Sequence, residues 1–189
     1  MTVTAAGYGL RMPLDQALTA RGALAGALGA AVWAAQTPLD QRAFGVDYSD
    51  SELLGKTVTR GPAWPVVGHA MHLANGALFG AVYANVARRI PLPSWARGPA
   101  AGMTENLATW PLMAVVDRFH PARKDLPKLA LNPRAFAQAT WRHLLFGLVM
   151  GGLGLLSSPG LITAWKIYRV GFSLLRREHR LPAVSLRLV

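Results

Sequence analysis

The stretch Trp64–Arg89, WPVVGHAMHLANGALFGAVYANVARR, constrains the fold of this chain more than any other. It is apolar for about 24 residues and ends in two arginines. As a helix rising 1.5 Å per residue it would be roughly 36 Å long, enough to cross a hydrocarbon core of about 30 Å. At 100° per residue, His69, His72, Gly76, Phe79, Gly80 and Tyr83 fall in one stripe, with Asn75 at its edge. Val67, Ala70, Ala74 and Ala81 form an apolar opposite side that could face lipid.

The rest of the chain repeats this design. Pro13 can open a first span over about 15–36, in which Gly22, Gly26, Gly29 and Trp33 share a face. Its arginine-flanked, alanine-rich start also fits a cleaved leader, but glycines spaced for packing fit a permanent helix better. The Trp64 helix covers 64–88 and stops at Pro91-Leu-Pro93. A third span covers 94–116, with Ser94 as its N-cap, a kink at Pro111, and Gly98, Gly102, Glu105 and Thr109 on one face. Asn132-Pro133 starts a fourth span over 133–156, amphipathic in its first turns (Arg134, Gln138, Arg142) and apolar afterwards. Its His143, Gly147, Met150 and Gly154 share a face, and Gly151 gives Gly147 a second small-residue step. The expected fold is therefore all-α, an integral membrane four-helix bundle over 1–159. The glycine pairs Gly22/Gly26, Gly76/Gly80, Gly98/Gly102 and Gly147/Gly151 are its helix-packing contacts.

Between the spans lie two polar connections. In the first, Ser49-x-x-Glu52 has the spacing of a capping box, which predicts a short surface helix. The segment 160–189 differs from everything before it. Leu161, Trp165, Tyr168, Phe172 and Leu175 form an apolar stripe, flanked by Lys166, Arg169, Arg176 and Arg177. Four cations are too many to cross a bilayer, so this reads as a basic helix lying on the membrane surface, turned there by Ser158-Pro159-Gly160.

The formal charge of +11 would point to nucleic acid in a soluble basic domain. Here the arginines flank apolar segments, which fits anionic lipid headgroups and argues against a nucleic-acid partner. The lysine and arginine counts of the connections favour both termini in the cytoplasm. With no cysteine there is no disulfide, thiolate metal site or thiol nucleophile.

Three stretches, GALAGALGAAVWAAQTPLDQR at 22–42, HAMHLANGALFGAVYA at 69–84 and HLLFGLVMGGL at 143–153, resemble the YagU-like family of small bacterial inner-membrane proteins without assigned activity. The resemblance implies a bacterial inner-membrane protein and transfers no active site.

His69, His72, Asn75, Glu105 and His143 are the candidate intramembrane polar cluster, with Asn106 and Thr109 in support. Such groups serve as interhelical hydrogen bonds, as a proton or solute pathway, or as ligands to a metal. No catalytic constellation, phosphate loop or paired carboxylate at hydrolase spacing occurs, and neither a cofactor nor a resident metal is expected. The first expectation is a structural or accessory subunit that docks other membrane subunits, or a second copy, through leftover glycine faces. The alternative is a small proton- or solute-conducting transporter using the polar cluster.

Overall fold

The computed structural model describes residues 15–156, with side chains to residue 154. The predicted membrane-surface residues Trp165, Lys166, Tyr168, Arg169, Phe172, Arg176 and Arg177 therefore lie outside the described residues, as does Pro13. The regular secondary structure of the described residues is all helical, with no strand. In chain order they form α1 (Gln16–Phe44), α2 (Asp50–Val58), α3 (Trp64–Val86), α4 (Ser94–Thr109), α5 (Met113–Phe119) and α6 (Pro133–Leu156). A 3-10 turn follows α3 at Ala87–Arg89, and another at Trp110–Leu112 joins α4 to α5.

Helix ends follow local chemistry. Asp15 caps α1, accepting from Leu18 N at 3.0 Å. Ser49 caps α2 by accepting from Glu52 N, as its spacing predicts. The Asn132 carboxamide oxygen accepts from Arg134 N and Ala135 N at the start of α6. Pro93, not Ser94, occupies the cap of α4, and no side chain closes it. A proline there fixes the extended entry while Ser94 becomes the first helical residue.

Two boundaries differ from the sequence reading. The first helix does not stop at Gln36: it runs through Pro38 to Phe44 and ends at Gly45, whose φ of 66° makes it a left-handed cap. Tertiary bonds from Asp40 hold these last turns and override the local break at Thr37-Pro38. The third expected span is two helices, because Pro111 interrupts the backbone ladder and its neighbours take the tighter 3-10 turn.

The long helices pack as a row, α3 on α1, α1 on α6, and α6 on α4. Glycines set the approach. A Cβ on Gly26 would fall on the carbonyl oxygen of Gly76, and one on Gly22 or Gly80 would meet the other's carbonyl. Across the second pair, a Cβ on Gly98 would fall on the Gly147 carbonyl, one on Gly147 on that of Gly98, and one on Gly102 on that of His143. A Cβ on Gly151 would lie 3.0 Å from Gly98 Cα. All eight predicted packing glycines therefore meet each other within the chain, α1 on α3 and α4 on α6. The predicted surface helix α2 is also clamped in this way: Gly55 lies against the Trp64 carbonyl, and Gly68 against that of Ser51.

Among the described residues, one helix, α1, is long and apolar enough to cross a membrane. The other long helices turn much of their polarity inward: His72 of α3, Asn106 of α4, and Gln138 and Arg142 of α6 are all buried.

The close backbone contact gives a direct test. Gly26→Ala should destabilise the protein by about 1–3 kcal/mol, since backbone faces backbone and no flexible side chain can yield. Gly152→Ala, with no described neighbour within 4 Å, should be neutral or stabilising by up to about 1 kcal/mol. Thermal unfolding of the two purified variants checks both; equal behaviour would contradict the glycine contact.

Candidate functional site

The most deeply buried charge is Arg142, whose side chain is inaccessible. It lies on α6 in the stripe Gln138, Arg142, Phe146, Met150, four residues apart, so the arginine faces the same way as the core. Its Nε donates to Asp40 Oδ2 at 2.6 Å and its Nη2 to Asp40 Oδ1 at 2.6 Å, a two-point fork. Nη1 donates to Asp50 Oδ2 at 2.9 Å and Nη2 also reaches the Tyr48 carbonyl at 2.8 Å. The Tyr48 ring lies 4.8 Å from the guanidinium carbon. Gln138 adds a bond to Asp40 at 2.7 Å and one to the Val46 carbonyl at 3.2 Å. One guanidinium thus joins α6 to the end of α1 and the start of α2.

Asp50 carries the network onward. It accepts from the Trp33 indole at 3.0 Å and from the Tyr48 hydroxyl. Burial, and then the Asp50 carboxylate, push the Tyr48 hydroxyl well above its usual range, so it stays a donor. The Trp33 ring stands edge-on between two histidines, its centroid 5.2 Å from that of His72 and 4.7 Å from that of His143.

These groups wall a cavity of about 390 Å³. His72, Asn75 and Phe79 come from α3, Glu105, Asn106 and Thr109 from α4, His143 and Phe146 from α6, and Trp33 from α1. The cavity occupies the side of the row where α3 and α4 lack the close packing of the other pairs. The Trp110–Leu112 turn forms part of its wall, and the exposed Asn75 and Leu112 stand at its edge.

Four of the five predicted cluster residues, His72, Asn75, Glu105 and His143, thus share one cavity. His69 does not. It is exposed, with Nδ1 within 2.7 Å of the Pro65 carbonyl of its own helix. One turn earlier than His72, it lies where α3 packs on the short α2 instead of on α1. Sequence reasoning did not single out Asp50 or Arg142 for this site, nor Trp33 beyond its packing face. The signal for Arg142 was available in the i, i+4 stripe it shares with Phe146 and Met150. Buried His120 was also missed: its Nε2 donates to the Leu53 carbonyl at 2.9 Å and its Nδ1 accepts from Ala122 N, tying α2 to the connection after α5.

The two histidines present defined edges. His72 Nε2 lies 3.1 Å from the Ala30 carbonyl, and His143 Nδ1 lies 2.8 Å from the Ala139 carbonyl. A carbonyl only accepts, so these nitrogens carry hydrogen and, in a neutral ring, the other nitrogen is a lone-pair acceptor. Asn106 donates to the Thr140 hydroxyl at 3.0 Å, while its buried Oδ1 has no partner. No three His, Asp or Glu among the described residues stand close enough to hold a metal ion.

A second cavity, of about 320 Å³, lies at the opposite end of the long helices, with Arg21, Arg88 and Arg97 among its lining residues. Phe79 and Phe146 border the first cavity, Tyr83 and Met150 the second, and all four belong to one packed cluster that fills the waist between them.

Arg142→Leu should destabilise the protein by about 3–5 kcal/mol, because Asp40 would be left buried, and Asp50 half-buried, without a counter-charge. Arg142→Lys should recover only part of this, since an ammonium cannot reproduce the fork. Thermal unfolding followed by circular dichroism measures the order wild type, Lys, Leu; a Leu variant as stable as wild type would contradict the assignment.

Comparisons of the chain with protein-family models, with curated proteins and with solved structures find no match.

Proposed function

We propose that this chain is an integral membrane helical protein whose central cavity binds a small polar solute, in the manner of a small transporter. The observation that carries the reading is the meeting of His72, Glu105 and His143, from three different helices, in one cavity. Polar groups used only as interhelical glue would pair with each other. Glu105 makes no hydrogen bond or ion pair to another described side chain, and Asn106 Oδ1 is left without a partner.

The membrane setting is supported by an inverted distribution of side chains. Leu24, Leu28 and Val32 form an exposed row on α1, and Leu78, Val82 and Val86 another on α3. Asp40, His72, Asn106, Gln138 and Arg142 are buried. Water would favour the reverse arrangement, whereas lipid favours apolar rows outside and polar groups that satisfy one another inside. The length and hydropathy of α1 point the same way. So does the YagU-like resemblance, which gives a bacterial inner membrane as the setting and assigns no residue a role. Arginine-rich ends continue to favour both termini in the cytoplasm.

The accessory-subunit reading keeps less support. Its motive was a surplus of glycine faces, and those faces are matched within the chain. The outward leucine and valine rows could still dock a partner, and co-purification of a stoichiometric second subunit would revive this reading.

A chain without cysteine allows a clean accessibility test. In membrane vesicles, Asn75→Cys should react with a charged, water-soluble thiol reagent at least about tenfold faster than Leu78→Cys or Val82→Cys, because only a wetted thiol forms the reactive thiolate. Rapid labelling of Leu78→Cys would put the outer face in water and overturn the membrane reading. An inert Asn75→Cys would overturn the wet cavity.

A further inference from the structure

The cavity wall carries several acceptors beside two donors, the Asn75 carboxamide and the Trp110 indole N–H. Asn106 is about 1% exposed and its Oδ1 has no donor. Glu105, its neighbour on α4, brings a carboxyl group that no described side chain engages. The backbone carbonyls of Ala30 and Ala139 take one N–H from each histidine, which leaves Nδ1 of His72 and Nε2 of His143 as acceptors in the neutral rings. Glu105 and the two histidine nitrogens, from three helices, therefore offer acceptors to the cavity.

Charge points the same way in a chain of formal charge +11. The guanidinium of Arg142 faces two carboxylates, Asp40 and Asp50, so that cluster is net negative, and Asp50 itself lines the cavity. The arginines that could attract an anion line the other cavity. Among aliphatic residues such as Leu53 and Leu54, the lining also holds Trp33, Phe79, Trp110 and Phe146, and an organic cation is attracted to an aromatic ring face.

Resting on the solute-binding reading above, we propose that the cavity takes a small organic ammonium ion. Glu105 is its counter-charge, the free histidine nitrogens accept its N–H groups, and aromatic rings cover its carbon skeleton. A volume of about 390 Å³ matches a single compact amine of the kind small-molecule pockets enclose. A bare metal ion fits less well, because the His, Asp and Glu groups do not converge to ligand distance.

The test uses the full chain in lipid nanodiscs with three probes of one shape: benzylammonium, benzyl alcohol and benzoate. Saturable binding measured by calorimetry should favour benzylammonium over both others by at least about tenfold, the discrimination expected of a charge-assisted site. Glu105→Gln, checked for monodispersity by size exclusion, should abolish that preference. Preference for benzoate or benzyl alcohol, or undiminished benzylammonium binding by Glu105→Gln, overturns the ammonium assignment and leaves the cavity a solute site of another class. Absence of binding by all three probes also overturns the assignment. The solute-binding reading falls with it only if Asn75→Cys proves unreactive as well. The three-probe comparison on wild-type protein needs no variant, so it stands even if Glu105→Gln does not fold.

Discussion

The rest of the structure depends on the fork between Arg142 and Asp40. A guanidinium buried to this degree is costly unless each of its donors is met, and here Asp40, Asp50 and the Tyr48 carbonyl meet them. The consequences run outward. Asp40 can serve only if α1 continues past Pro38, which brings Gln36 and Gln138 into the same network. Asp50 can serve only if the chain turns at Gly45 and brings the start of α2 back over α6. Once there, Asp50 receives the indole of Trp33, and the ring is held between His72 and His143. The geometry of the cavity wall is thus inherited from an ion pair that does not itself lie open to the cavity.

Glycine supplies the other constraint. Where α1 meets α3 and α4 meets α6, backbone approaches backbone so closely that Cβ atoms could not be accommodated. Two pairs drawn this tight, and joined through α1 and α6, leave α3 and α4 at opposite ends of the row. The space between them is where the polar side chains gather. Pro111 contributes by ending α4 at Thr109, so that the Trp110–Leu112 turn forms a wall where a continuous helix would have crossed.

Much of this was legible in the sequence, because it is periodic. The glycine steps and the His72, Gly76, Phe79, Gly80 stripe follow from 100° per residue, and Ser49-x-x-Glu52 and Asn132-Pro133 mark helix starts. The parts that were not legible are those decided by distant partners. Thr37-Pro38 reads as a break because its local preference is to break; the bonds made by Asp40, about 100 residues from Arg142 in sequence, reverse that. Arg134, Gln138 and Arg142 read alike as a solvated face, yet only Arg134 is exposed. His69 and His72 share a sequence stripe, but a helix face is uniform only if one neighbour covers its whole length. The first turns of α3 meet α2 and the later ones meet α1, so the two histidines have different surroundings.

The same reasoning bears on why the cavity is polar at all. A gap between two helices could be closed by leucines, and the chain has them in quantity on its outer faces. Instead, one carboxyl and two histidine nitrogens border the gap without being consumed by one another. Each such group costs about 1–3 kcal/mol when buried without a partner, and a fold stabilised by only about 5–15 kcal/mol bears little of that without cause. Water or a ligand must therefore complete these bonds. The Glu105 carboxyl, which no described side chain engages, sets this gap apart from a packing defect more than its volume does.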